Sequence, residues 1–570
     1  MKKKEFLGAA VLALSLTAML FTGCGAKEQT SRNNTNNVVG GLPVQDPYAE
    51  TAREEVRQNE DDGVDTAETA TPEPTPIPAP TDANAFEYME KNDGTIRITK
   101  LKDTSLEIVV IPQQIDGISV TEIAKESFQK CSNLISVIIP DSVTKIGYEA
   151  FMDCSSLTNV TIPDSVTEIE YDAFSGCSSL TSVIIPDSVT EIESYTFFGC
   201  SSLTSVTIPD GVTGIGAGVF GNCKSLTSVT IPDSVTKIGY DAFRGCIGLT
   251  SVTIPKGVTV IANGVFSGCI GLTNMTIPDN VTEIGYEAFS GCIGLTSVTI
   301  PDGVTVIEEG VFSGCIGLTN MTIPDKVTVI GQEAFSGCTG LINVTIPNGV
   351  TEIGEGAFSG CSSLPSVIIP DSVTKIGAYA FQDCSSLPNV IIPDSVTEII
   401  YGAFNGCIGL TSMTIPDGVT RLYGLFDDCS NLTSVTIGNG VTELWNGAFE
   451  GLNLTSVTIP DSVTKIGENA FQDCSSLESV TIGNGVTYIG PSAFKGCSSL
   501  TSVIIPDAVK TIESSAFGDC IHLTSVIIPG SVTKIEGAPF QGCSSLTTIT
   551  APAGSYAEEW AKKNGYSVQN

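Results

Sequence analysis

From Cys131 the chain spells CSNLISVIIPDSVTKIGYEAFMDC and then repeats that sentence, with small changes, almost to its end. Cysteine stands at 131, 154, 177, 200 and 223, a step of 23 residues. A fixed period of this length belongs to stacked supersecondary units, each of which buries its apolar face only against its neighbours. The repetition predicts a solenoid from residue 85 to 553, and such an array needs no other core. Function must then come from the surface the coils display.

One coil can be read residue by residue. After Cys154, apolar side chains fall at Leu157, Val160, Ile162, Val166, Ile169, Ala173 and Phe174. The alternation through Val160 and Ile162 is that of a strand with one buried face. Pro163 ends it for want of an amide donor, and Asp164 and Ser165 supply turn chemistry. Val166 to Ile169 reads as a second, shorter extended piece. The YDAFSGC segment then turns Ala173 and Phe174 inward as a compact corner, either a single helical turn or an irregular arc, closed by Gly176. The fold class is thus a mainly β repeat solenoid.

LTNVTIPDSVTEIEYDAFSGC, from Leu157 to Cys177, resembles the 23-residue leucine-rich repeat called BspA-like or treponemal, and the likeness runs from about Leu106 to Thr550. The resemblance implies parallel strands along one face, with short second strands and corners on the other side. It implies no single activity, because such proteins are known as surface proteins, adhesins and binders of host components.

Departures from register mark where coils differ. Cys407 to Cys429 is 22 residues, and the next coil carries Leu452 where cysteine belongs and is again one residue short. The ends must be capped to keep the array soluble. Phe86 to Leu101 reads as a hairpin around Asn92-Asp93-Gly94, and Gln113 to Val120 as an insertion in the first coil. Residues 554–570 read as a C-terminal cap with a short helix, Ser555 as its N-cap and Gly565 as its stop, and Trp560 folded back over the last coil.

The N-terminus points to export. Lys2, Lys3 and Lys4 precede an apolar run from Phe6 to Phe21, the pattern of a secretory signal over residues 1–23. Phe21-Thr22-Gly23-Cys24 resembles a bacterial lipobox, with Phe21 where Leu is usual, which implies lipidation of Cys24 and a membrane tether. From there to residue 84 the composition turns polar and then proline-rich (TPEPTPIPAPT), as in an unfolded stalk. The expected location is the bacterial cell surface. A formal net charge of −36 repels phosphate backbones, so nucleic acid is not an expected partner.

Four recurrent residues invite functional readings. One cysteine per coil, beside inward Phe and Leu, predicts a column of buried free thiols, although coils stacked at about 4.7–4.9 Å leave bridging open. Neither zinc nor another metal is expected, since His522 is the one histidine and no cysteines fall in a C-x-x-C pair. The Ser-x-Thr pattern of the strands (Asn159/Thr161, Ser205/Thr207) suits either an ice-binding ladder or, more simply, a soluble sheet face. Asp141, Asp164, Asp187, Asp210 and Asp233 form a column that calcium could bridge, but Lys256 and Asn348 break it, and a turn residue bonding its own backbone explains it.

Tyr148, Tyr171, Tyr240, Tyr286 and Tyr401 share a corner position that elsewhere holds Ala217, Asn263, Glu309 or Gln332. They are the candidate ligand-binding residues, either as exposed contact aromatics or as rings half-buried against the next coil. No catalytic grouping and no phosphate loop stand out, so no enzyme and no cofactor are expected. The expectation is a lipid-anchored surface protein that binds extracellular protein or glycan, with a structural scaffold of the envelope as the alternative.

Overall fold

The computed structural model describes residues 78–570. The signal sequence, Cys24 and most of the stalk expected at 24–84 lie outside the described residues. From there the chain is a parallel-strand β-solenoid, and each coil repeats one plan.

In the coil that begins at Cys154, Asn159–Thr161 is a strand with only Val160 inward, and Glu168–Ile169 is a two-residue strand with Ile169 inward. The corner is a series of hydrogen-bonded turns and not a helical turn. Two residues per corner explain why: Asp172 has φ 55° and Gly176 has φ 74°, both in the left-handed region that a helix interior does not allow. The residue before each cysteine keeps this conformation whatever its identity, as at Asp153, Gly199, Asn222 and Asp383. Gly, Asp and Asn are the residues that tolerate it best.

Three hydrogen-bond ladders join successive coils. In the first, Val206 lies opposite Val183 on one side and Val229 on the other, in parallel register. In the second, Ile215 lies between Ile192 and Ile238. The third runs through the corners in the opposite sense: the Phe174 N–H donates forward to the Thr196 carbonyl (2.9 Å) and the Gly176 N–H to that of Phe198 (2.7 Å). The first ladder is interrupted at Pro365 and Pro388. Other coils have a residue here whose N–H bonds the preceding coil, as Thr204 does to Thr181 (3.1 Å), and proline has none. Between Asn343–Thr345 and Ser412–Ile415 the ladder thins to the bridge Ile368–Ile391 and the bond from the Thr411 N–H to the Pro388 carbonyl (3.0 Å).

The core is built of columns. Phenylalanine rings stack from coil to coil; Phe289 and Phe312 have centroids 5.6 Å apart and planes 6° from parallel. The described cysteines are buried and free, as the sequence suggests. From Cys154 on, each thiol donates to the carbonyl of the phenylalanine one coil back, at 3.0 Å for Cys154 to Phe128 and 3.2 Å for Cys338's neighbour Cys315 to Phe289. Leu452 fills the same buried position without a donor.

Both ends are covered. Phe86–Glu90 and Ile96–Leu101 form the antiparallel hairpin, turned at Gly94 (φ 77°), and Phe86 meets Phe128 edge-on at 6.4 Å. Gln114–Ile115 folds back antiparallel on Ile118–Ile123, which is the insertion in the first coil. The fold begins before residue 85, where the stalk was expected to end: the Thr81 N–H donates to the Val110 carbonyl (2.9 Å), its hydroxyl accepts from the Val110 N–H (3.0 Å), and Ala83–Ala85 is a 3-10 turn. At the other end Tyr556–Lys563 is a helix whose N-cap Ser555 accepts from the Glu558 N–H, and Trp560 lies edge-on to Phe540 at 6.1 Å. Ser567–Gln569 then pairs parallel with Thr548–Thr550 and extends the first ladder by one strand.

Candidate functional site on the corner face

The residue 16 places after a cysteine stands where neighbouring coils approach most closely. Where it is glycine, its N–H always bonds the preceding coil, as in Gly331 to Ile307 (2.7 Å) and Gly354 to Ile330 (2.8 Å). A Cβ on Gly331 would stand 2.7 Å from the Ile307 carbonyl oxygen, closer than carbon and oxygen can pack. Where a side chain stands here the bond is kept in some coils, at 2.9 Å for Trp445 and 3.0 Å for Glu170 and Ile400, and is unformed at Glu193, Ala262, Glu308 and Tyr423. At those four steps the second ladder is broken.

Two of the openings are clefts. One, of about 310 Å³, lies between Thr167–Tyr171 and Thr190–Glu193 and is rimmed by Glu168, Glu170, Glu191 and Glu193. The other, of about 430 Å³, is lined by Glu398, Ile399, Tyr401, Thr420, Arg421 and Tyr423. The second coincides with the short coil. From Leu422 to Phe426 the corner is one residue shorter than from Ile169 to Phe174, and the forward bonds made by other corners are not formed by Gly424, Phe426 or Asp428. The Phe426 and Phe449 centroids are correspondingly 6.3 Å apart, against 5.1 Å for Phe449 and Phe471.

The five tyrosines singled out from sequence do not form one site. Tyr171, Tyr240 and Tyr286 are each about half exposed, at 50%, 53% and 50%, and Tyr401 at 45%. Tyr148 is more covered, with the Lys125 ammonium 5.0 Å from its ring centre. Among them Tyr401 stands in a run of aromatics: Tyr379 of the coil before meets it edge-on at 5.7 Å, and Tyr423 and Trp445 of the two coils after it are 5.4 Å apart. The Arg421 guanidinium lies 5.8 Å from the Trp445 ring centre. The Tyr401 hydroxyl donates to Asp427 (3.2 Å), whose charge pushes the phenol pKa up. Tyr379, Tyr423 and Trp445 escaped the sequence reading because they stand one place off the tyrosine register, and Arg421 because it stands three places off it; the one-residue deletion beside Tyr423 was the available signal.

The other columns have structural roles. Where the aspartates bond, they bond the next coil and not their own backbone, as Asp417 accepting from the Asn439 N–H (2.6 Å) and Asp461 from that of Asn484 (2.7 Å). The Nδ1–H of His522 donates to the Ser498 carbonyl (2.7 Å), a tie between coils. Burial pushes the thiols of Cys246, Cys315 and Cys361 up to about 12, which suits packing and not nucleophilic chemistry.

The model for the BspA type leucine rich repeat region matches residues 121–250, 236–365, 351–478 and 464–559. Among solved structures, a leucine rich cell surface protein from Faecalibacterium prausnitzii is 30% identical over 71% of this chain and 95% of its own, with a TM-score of 0.38. A leucine-rich repeat protein from Bacteroides ovatus is 24% identical over 85% of this chain and 98% of its own, with a TM-score of 0.37. The leucine rich repeat protein of T. pallidum is 34% identical over 38% of this chain and 91% of its own, with a TM-score of 0.29. No curated protein matches significantly.

Proposed function

The chain belongs to the BspA-type leucine-rich-repeat family, and from that premise we propose that it is a non-catalytic binding protein, held at the bacterial surface by lipid on Cys24 and presenting its coils to extracellular protein or glycan. The observation that carries this reading is the contrast between frame and corner face. The inward columns hardly vary, whereas the corner position of Tyr171, Tyr240, Tyr286 and Tyr401 changes from coil to coil and leaves aromatic rings about half exposed. Rings held on a rigid backbone lose little entropy on contact, which favours binding. The lipobox-like sequence before Cys24 and the proline-rich stretch after it support display beyond the membrane.

Whole cells treated with protease test the display. The reading expects the repeat region to be cleaved or released while cytoplasmic markers stay intact, and Cys24→Ala to send the protein into the medium. Repeats that resist external protease but yield after lysis would overturn it. Screening the purified protein against matrix proteins and glycans tests the binding.

A further inference from the structure

We propose that the cleft between Glu398–Tyr401 and Thr420–Tyr423 is a binding site for a neutral oligosaccharide. This rests on the surface-binding reading above and names the place and the ligand class. Four consecutive coils contribute an aromatic residue to this stretch, Tyr379, Tyr401, Tyr423 and Trp445, and the cleft opens in the middle of the run.

The opening has a local cause. Tyr423 occupies the position where glycine bonds the preceding coil, and its own N–H makes no such bond; the corner bonds across the same step, Gly402 to Gly424 (2.8 Å) and Gly406 to Asp427 (2.8 Å), stay formed, so the coils part along the second ladder alone. Bonds that other coils make here, from the residues at 420 and 423 back to 397 and 399, are not formed. Backbone donors and acceptors are therefore left at the cleft, beside the Thr420 hydroxyl, the Glu398 carboxylate and the Arg421 guanidinium.

That combination selects a chemistry. A pyranose presents C–H groups on one face, which pack on an aromatic ring, and hydroxyls around its edge, which both donate and accept. Tyr401 and Tyr423 supply rings, Glu398 accepts, Arg421 donates, and the open backbone does both. The volume of about 430 Å³ lies in the ordinary range for small-ligand sites. An apolar protein anchor would leave these polar groups unpaired. An anionic ligand is disfavoured because Arg421 is balanced by Glu398 and by Asp427 behind Tyr401, within a chain of net charge −36. The other cleft, rimmed by four glutamates and one tyrosine, lacks both the second ring and the cation and serves as an internal control.

The chain has two tryptophans, and Trp445 adjoins the cleft while Trp560 sits in the C-terminal cap. In the Trp560→Phe protein, Trp445 fluorescence is titrated with neutral tetrasaccharides of glucose, mannose, galactose, xylose and N-acetylglucosamine. A saturable change with at least one of them is expected, weakened at least tenfold by Tyr423→Ala and by Arg421→Ala, retained in Tyr423→Phe and unaltered by Tyr171→Ala. No saturable change with any neutral sugar, a response to sulfated sugars alone, or a response that survives Tyr423→Ala and Arg421→Ala would overturn the proposal. Circular dichroism of each variant separates lost binding from lost folding, and Tyr423→Phe keeps the test decisive if the alanine variant unfolds. If the cleft fails while the protein still binds a matrix component, the surface-binding reading stands and only this site falls.

Discussion

Phe312 lies on Phe335 with ring centroids 5.5 Å apart and planes 12° from parallel, and both rings are fully buried. Each ring is packed from above and below, so removing one leaves two neighbours facing a void. Phe312→Ala is expected to cost about 3–5 kcal/mol. Because coils contact only their neighbours, the loss should appear first as local opening. Hydrogen exchange checks this: the amides of residues near 312 and 335 should lose protection while those near Phe494 keep theirs.

The thiol column makes a chemical prediction. With pKa values pushed up to about 12 by burial at Cys246, Cys315 and Cys361, native thiolate is scarce at pH 8. Iodoacetamide at that pH should leave the repeat cysteines unmodified until denaturant is added. Mass spectrometry of the labelled peptides reads the result, and rapid modification of Cys315 in the native protein would contradict the packing. Cys543, 8% exposed beside the C-terminal cap, should be among the first to react.

Pro365 and Pro388 interrupt the first ladder, and threonine stands there in most coils. The double variant Pro365→Thr, Pro388→Thr should extend that ladder through 366–368 and 389–391. New slow-exchanging amides at 365 and 388 are the measurement, since the extra backbone bonds, roughly 1 kcal/mol each, are partly offset by a more flexible unfolded chain.

Tyr423→Gly should close the second ladder at the short coil. A glycine amide at 423 is expected to bond the Ile399 carbonyl, as Gly377 bonds Ile353 (2.8 Å), and to shrink the cleft. Slow exchange at residue 423 in the variant, against fast exchange in the parent, checks the claim that the side chain holds the coils apart.

The C-terminal cap should loosen in acid. Glu558 is held below the usual carboxylate range first by Lys562 (2.7 Å) and then by the Gly554 N–H (2.7 Å). A depressed carboxylate stabilises the fold above its unfolded pKa, about 4.3, and that contribution is lost as pH falls through the lower folded value. Trp560 emission in a Trp445→Phe background should shift to the red as pH falls below about 4. Glu558→Gln should flatten that dependence.

The coil plan was legible because its constraints are local. Pro163 ends a strand by lacking a donor, and Gly176 before Cys177 marks a left-handed residue that Asp153 and Asn222 can replace. The hairpin at Gly94 and the cap at Ser555 were legible for the same reason. Where coils part was not, although the residues responsible are plain in hindsight. Glu170 and Glu193 occupy the same position, yet one bonds the preceding coil at 3.0 Å and the other does not bond it. The outcome turns on a few tenths of an ångström summed over a coil, which no single residue encodes. The site suffered most from this: Tyr401 was found by its column, but Tyr423 and Trp445 stand one place before that column and pair with each other across the next step.

The final strand, Ser567–Gln569, lies along Thr548–Thr550 as another coil would, and the helix before it lays Trp560 against Phe540 where a further phenylalanine would stack. The ends are therefore independent of how many coils lie between them. Gain or loss of a 23-residue unit by recombination within the gene would lengthen or shorten the reach by one strand spacing, about 4.8 Å, and leave both lids fitting as before. Length is heritable variation that this fold can carry at almost no structural risk, whereas deletion of a single residue, as at the coil of Tyr423, is how one coil comes to differ from the rest.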